Sequence, residues 1–315
     1  MTVPYHYSVF GLTLASDFDF EVLEKADPPV AGPDVTVKRV IGMTRPTHPA
    51  DPFFDITPDR QYLHWQAVAA FSIESPGLVL VEPHDGISDH LVSQAFLGLV
   101  ISLVLERRGV LCLHASAVSV NGRAALFLGD KGAGKSTTSC AVQSRGHSPL
   151  TDDLVAVADA AGAVSAPFVQ PGFSSMKLWP DSIAALALPE DADDRRVHPS
   201  VSKIQKRMPM EIANDPAPMG AIFLLRRSSE TQAPKVFRLP PHLALQAVLR
   251  FTFMARYGES RLGPDHLVLH MKRCGGVVAN VPVFDLHIPA NLDLISDVAK
   301  TIEECMDQTR SHARM

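Results

Sequence analysis

Two adjacent carboxylates, Asp152 and Asp153, lie 17 and 18 residues after a lysine, Lys135, and His114 lies 21 residues before it. Paired carboxylates suit phosphoryl transfer: one holds Mg2+ directly or through water, and the other accepts the proton of an attacking hydroxyl. A solvated Asp-Asp turn would carry the same residues, so their neighbours decide. Lys135 stands in Gly129-Asp130-Lys131-Gly132-Ala133-Gly134-Lys135-Ser136-Thr137, which fits the phosphate-binding pattern GxxxxGK[ST]. The three glycines open backbone conformations closed to other residues, so successive N–H groups can turn inward on anionic oxygens. Lys135 would reach the β- and γ-phosphates of a nucleoside triphosphate, ATP or GTP, and the Ser136 hydroxyl would ligate Mg2+. The competing reading is a glycine-rich turn with an exposed lysine.

The elements around the motif bear on that choice. Ala124 to Leu128 (AALFL) is an apolar run of buried-strand length, and Lys135 to Ser144 has neither Gly nor Pro and can open as a helix. Strand, glycine loop and helix are the setting a phosphate loop requires, and the helix N-terminus adds partial positive charge. Arg145-Gly146-His147 predicts the helix end, with Gly146 as its cap. Upstream, Gly109 to Val120 (GVLCLHASAVSV) reads as a strand, and Asn121-Gly122 as a type I′ turn that pairs it with the strand feeding the loop. His114 would lie on that paired strand, either as a site residue or as a core histidine satisfied by a backbone group.

Taken together, His114, GDKGAGKST, Arg145-Gly146-His147 and the Asp pair resemble the catalytic domain of HPr kinase/phosphorylase, over roughly residues 105–160. The resemblance implies a P-loop fold related to phosphoenolpyruvate carboxykinase and phosphorylation of a protein serine. It implies Asp152 as general base, His114 as its neighbour and Asp153 as a metal-side carboxylate. The opening YHYSVFGLTLASDFDF and the later QPGFSSMKLWPDS resemble a divergent branch, the HPr-kinase-like tailoring kinases of lasso-peptide biosynthesis, some of which phosphorylate the C-terminal serine of a precursor peptide. Lys131 stands where the HPr enzymes usually have serine, and their long C-terminal signature is missing, which argues against HPr as substrate and against the reverse reaction.

The rest of the chain frames this site. It has 315 residues, 46% hydrophobic and 20% charged, with a net charge of −5. That is an ordinary globular composition without the basic stripe of a nucleic-acid binder. Cys112, Cys140, Cys274 and Cys305 form no CxxC; the first two lie in apolar runs, as buried thiols of a reducing cytoplasm do. No signal peptide is evident. Leu91 to Leu105, 15 residues, is short for a bilayer and predicts a buried helix opened by Ser88 or Asp89 and closed at Gly109.

Residues 1–85 predict a β-rich N-terminal domain. Its strands fall near Tyr5 to Leu14, Val35 to Ile41, Tyr62 to Ile73 and Leu78 to Val81, with Phe53, Phe54 and Trp65 in its packing. After the Asp pair, Leu154 to Ala158 and Ala163 to Ala166 predict a hairpin. Lys177 follows a Pro-Gly turn and reads as a surface lysine or as a stabiliser of the transferred charge. Glu190 to Arg196 reads as a solvated loop, and Lys203, Lys206 and Arg207 as a phosphate-facing or solvated cluster. Met219 to Leu225 predicts a buried strand ended by Arg226 and Arg227. A helix is expected over Pro240 to Tyr257, a strand over Val281 to Ile288 and a helix over Leu292 to Gln308. His266 and His270 would share a metal on a helix, but their alternating setting argues against a helix there.

The sequence therefore predicts an α/β fold: a P-loop kinase core of the HPr kinase / phosphoenolpyruvate carboxykinase type over 86–315, behind the β-rich region over 1–85. The expected cofactors are ATP (or GTP) and Mg2+. The expected acceptor is a serine hydroxyl of a peptide or small protein; nucleic acid and membrane are not expected partners, and a homo-oligomer is in keeping with the resemblance. Two alternatives stand beside this reading: a small-molecule kinase or carboxykinase-like phosphotransferase, and a non-catalytic nucleotide-binding module.

Overall fold

The computed structural model describes residues 4–44, 51–160, 167–173, 175–192, 194–198, 201–207, 211–257 and 263–312. The chain divides into two compact units, residues 1–112 with 253–271, and residues 113–252 with 272–315.

The first unit is built on a sheet of β1 (Tyr5–Val9), β2 (Leu12–Ser16), β3 (Val35–Arg39), β4 (Phe53–Ile56), β5 (Gln61–Trp65), β6 (Ala69–Ser75) and β7 (Leu78–Pro83), in the order β1-β2-β3-β7-β6-β5-β4. Two stretches expected as single strands are hairpins. Phe10 and Gly11 turn the first with φ of 53° and 73°. The second turns where the Val68 N–H donates to the Trp65 carbonyl at 3.0 Å. Trp65 packs edge-on to Phe54 and Phe71 at 5.1 and 5.6 Å, a packing role. The apolar run after the sheet is a continuous helix, Asp89–Arg107, of 19 residues. It comprises α1 (Asp89–Ala95), a π turn over Phe96–Val100 and α2 (Ile101–Arg107). It is longer than the apolar run alone because polar residues extend both ends. By length and composition it could cross a membrane, but 61% of its apolar window is buried in the fold, as in a core helix. Phe96 stacks on Phe20 at 4.9 Å.

The chain continues through β8 (Leu111–Leu113), β9 (Ser116–Val120), β10 (Arg123–Leu128), α3 (Lys135–Gln143), β11 (Ser148–Thr151), β12 (Val155–Ala158), β13 (Phe168–Gln170), β14 (Ser175–Leu178), α4 (Pro180–Ala185), β15 (Arg195–His198) and β16 (Val201–Arg207). It ends with β17 (Ala217–Ser228), β18 (Lys235–Arg238), α5 (Pro241–Arg250), α6 (Met254–Tyr257), α7 (Pro264–Asn280), β19 (Val283–Pro289) and α8 (Ile295–His312). A nine-stranded sheet runs β11-β9-β10-β17-β13-β12-β8, with β19 joining β17 to β18; β14, β16 and β15 form a separate three-stranded sheet. β10, β17 and β19 are parallel neighbours. Their side chains are buried on both sides of the sheet in β10, so they read as continuous apolar runs instead of alternating ones. Ala141 and Val142 of α3 and Val298, Ile302 and Met306 of α8 cover Ala125, Phe127, Phe223 and Leu286 on one face.

One glycine sets the close approach of β10 and β17. The register shifts between Ala124 and Ala125, which oppose Met219 and Ala221, so Gly220 is the extra residue of a bulge. A Cβ there would stand 2.5 Å from Met306 Cε, 3.1 Å from Arg123 Cβ and 3.3 Å from the Ala124 carbonyl. Met306 can swing away; the other two cannot. Gly220→Ala is expected to cost about 1–3 kcal/mol of overpacking, measurable as a lowered denaturation midpoint with unchanged slope.

Several local expectations are corrected. Gly109 to Val120 is two strands, β8 and β9, and His114 sits in the bend between them, not on the strand that pairs with β10. The type I′ turn itself is present, with Asn121 and Gly122 at φ 51° and 79° and Val120 opposite Arg123. β12 pairs with β13 from Phe168 onward; the expected strand over Ala163 to Ala166 lies outside the described residues. The charged run Glu190 to Arg196 is not wholly solvated: Asp194 pairs with the buried Lys206, and β15 begins at Arg195. The helix from Pro241 breaks after Arg250. His266 and His270 do lie on a helix, α7, whose proline start outweighs the single β-branched Val268 between them; among the described residues no group of three metal-capable side chains assembles.

Candidate functional site

The loop between β10 and α3 has the shape its glycines predict. Gly132 and Gly134 take φ of 87° and 97°, where a side chain would be strained. Gly129 is buried, and a Cβ on it would fall 2.8 Å from the Ala133 Cβ. Gly134 occupies the N-cap position of α3, and no side chain caps the helix there. Lys135, 9% exposed, folds back so that Nζ donates to the Gly129 carbonyl at 2.8 Å and the Asp130 carbonyl at 3.5 Å. Asp130, Lys131 and Gly132 form the exposed rim. Thr137 is buried, its hydroxyl 2.9 Å from that of Ser182, so it ties α3 to α4.

The Asp pair follows β11, and its backbone turns sharply: Asp153 has φ of 65°. That turn sends the two carboxylates to different partners. Ser136 donates to Asp152 at 2.9 and 3.1 Å, and Ser116 of β9 donates a short bond to the same carboxylate. Asp153 instead pairs with Lys177 of β14 at 3.0 Å. His114 Nδ1 lies 3.0 Å from the Asp153 carbonyl oxygen. A carbonyl only accepts, so Nδ1 carries the proton in the neutral ring. The expected arrangement put His114 beside Asp152 and gave Ser136 and Asp153 to the metal; the carboxylate that meets Ser136 is Asp152, and His114 meets the Asp153 backbone.

The two acids differ in proton affinity. Burial, and then the adjacent Asp153 charge, push Asp152 up to about 6 from 3.8, against the pull of the Ser116 and Ser136 bonds and Lys177. Burial raises Asp153 too, but Lys177, then His114 and Lys203, outweigh it and hold Asp153 well below the usual carboxylate range. Asp152 therefore holds a proton more readily than Asp153, the divergence that separates acid–base roles. Beneath the loop, burial and then the Asp152 charge push the Cys140 thiol up to about 12, which keeps it inert. All four cysteines are buried free thiols.

Three members of the site carried no usable sequence signal. Ser116 is one of many serines. Arg250, the last residue of α5, reaches the loop from 120 residues away and donates to Asp130 at 2.8 Å. The neighbouring Phe251 carbonyl accepts the His114 N–H at 2.7 Å. The sequence leaves Lys177 as either a surface lysine or a stabiliser of transferred charge, and its pairing with Asp153 at 3.0 Å brings it to the site. Arg226 and Arg227 are engaged elsewhere, with Asp285 and with the Ala290 carbonyl.

The donor set fits Mg2+. It consists of hard oxygens, the Ser136 hydroxyl and the Asp152 carboxylate, in the first turn of α3 and facing it, and Mg2+ takes one or two such groups with the rest from phosphates and water.

No protein-family profile matches the chain, and no curated protein matches it in sequence. Among solved structures, the Hpr(Ser) kinase/phosphatase from Coxiella burnetii aligns over 65% of this chain and 99% of its own, at 14% identity and a TM-score of 0.28. An overlap of that size carries no argument about the reaction, which rests on the site.

Proposed function

We propose that the chain is an ATP-dependent, Mg2+-requiring kinase that phosphorylates a serine hydroxyl of a peptide or small protein, with a biosynthetic precursor peptide as the acceptor. The observation that supports it is the meeting of Ser136 with Asp152 at the mouth of a glycine loop that encloses Lys135. Lys135 leaves the Gly129 carbonyl for the β- and γ-phosphate oxygens, and the loop N–H groups hold the same anion. Mg2+, when bound, neutralises charge on those phosphates. Asp152 takes the proton of the attacking hydroxyl, a task suited to a carboxylate whose proton affinity burial raises. Lys177 and His114 hold Asp153 in place. Most of the rate comes from position and fixed charge, since this transfer needs little covalent help.

The Ser136–Asp152 bond also favours a second division of labour, in which Asp152 is the metal-side carboxylate and Asp153 the proton acceptor. Metal affinity separates the two. Under this second division Asp152 would have to release its proton to hold Mg2+, so metal affinity would fall as pH drops through the raised Asp152 range; under the first it would be flat across that range.

The test is transfer of labelled γ-phosphate from ATP, with Mg2+, to a panel of serine-containing peptides, including peptides that end in serine. Label on a peptide hydroxyl supports the kinase. Label only on small-molecule alcohols or acids moves the reading to a small-molecule phosphotransferase. Tight MgATP binding without turnover on any acceptor leaves a nucleotide-binding module.

A further inference from the structure

The three-stranded sheet β14-β16-β15 packs one face on α3, and its other face sets cations around the buried Ser175 and Gln205. In antiparallel pairs, opposite residues share a face, as do alternate residues along a strand. Lys177 opposes Gln205, which opposes Arg195. Lys203 and Arg207 lie two residues to either side of Gln205, so all four cations lie on one face. Trp179 continues the same parity beyond β14; it is 41% exposed, with Lys203 Nζ 5.6 Å over its ring. The opposite face is committed: Met176 and Leu178 pack on Cys140, and Lys206 is buried against Asp194. This basic face stands against a chain charge of −5, and it starts at the site, because Lys177 is the partner of Asp153.

We infer that this face, with Lys177, Lys203, Arg195, Arg207 and the Trp179 ring, receives the acceptor, and that the acceptor is an acidic polypeptide segment with carboxylates near the phosphorylated serine. The inference deepens the kinase reading and rests on it. The length of the row favours a peptide. At about 3.3 Å per strand residue, Lys203 and Arg207 are roughly 13 Å apart, the span of four extended residues and more than one small acid reaches. Trp179 offers an apolar ring for a side chain between the carboxylates.

The experiment measures anisotropy of labelled ten-residue peptides on the full chain. Each peptide has one serine flanked by glutamates, by glutamines or by lysines, and MgATP affinity and labelled phosphate transfer are followed in parallel. The glutamate peptide is expected to bind at least about tenfold tighter than the glutamine peptide, with the gap shrinking at high salt. Arg195→Glu/Arg207→Glu is expected to weaken the glutamate peptide by about thirtyfold and to strengthen the lysine peptide, with MgATP affinity unchanged. The gain for the lysine peptide cannot come from misfolding, and Arg195→Gln/Arg207→Gln should fall between. Equal binding of all three peptides, no effect of the charge reversal, or tighter binding of a single-stranded oligonucleotide than of the glutamate peptide would overturn the inference. If transfer proceeds with equal efficiency on all three, the kinase survives and the acidic acceptor does not; if nothing is transferred but the charge dependence of binding holds, the kinase reading is the one that fails.

Discussion

On the kinase reading, Asp152→Asn is expected to lose phosphate transfer by about three orders of magnitude and yet to melt above the parent chain at pH 7.5. The loss of activity is expected because, in the proposed role, the proton acceptor is removed while its shape is kept. The stability follows from where the carboxylate sits. Asp152 is buried, and its folded value of about 6 lies above the ordinary 3.8. Between those values the folded chain holds a proton that the unfolded chain has lost, so stability falls as pH rises from 3.8 to 6 and stays lowered above 6. Asn never ionises, escapes the repulsion from Asp153 and still accepts from Ser116 or Ser136. A gain of about 1–2 kcal/mol, or roughly 2–4 °C, is expected at pH 7.5, vanishing below pH 4. Scanning calorimetry across pH, beside transfer rates, checks both halves. Loss of both activity and stability would mean that the two serine bonds to the ionised carboxylate outweigh its burial. For the parent chain, the rate should climb tenfold per pH unit up to about 6 and then level off. Unchanged transfer by the variant would remove Asp152 from the base role.

Lys135→Ala should abolish the thermal stabilisation by MgATP and lower kcat/KM by about a thousandfold. A ligand at a hundred times its Kd stabilises by about 2.7 kcal/mol, and that shift is the simplest readout of loop occupancy. Without nucleotide the variant leaves the Gly129 carbonyl without the bond it accepts from Nζ at 2.8 Å, a modest loss of about 1 kcal/mol. Lys135→Arg is not expected to rescue, because a planar guanidinium does not fit where a compact ammonium turns back over its own loop. A full nucleotide shift in Lys135→Ala would remove Lys135 from triphosphate binding.

The local elements around the site were legible because short-range rules govern them. The apolar run before Gly129, the Asn121-Gly122 turn and the Gly146 stop depend on a few consecutive residues, and they appear as a strand, a hairpin and a helix end. The longer runs were misread where one residue breaks the pattern: His114 bends what looked like a single strand, and Phe10-Gly11 folds another into a hairpin.

By itself, then, the sequence determined that a glycine loop, a lysine and two acids would follow a buried strand, because each depends on local backbone chemistry. Which acid meets Ser136 was decided only by the tertiary structure. Asp152 and Asp153 are adjacent and chemically identical, and a positive φ at Asp153 sends one under the loop and the other to Lys177. Arg250 reaches Asp130 across 120 residues, and Lys177 joins Lys203, Arg195 and Arg207 through strand pairing alone. Such partnerships arise from register and turn geometry over long separations, and no spacing along the chain encodes them.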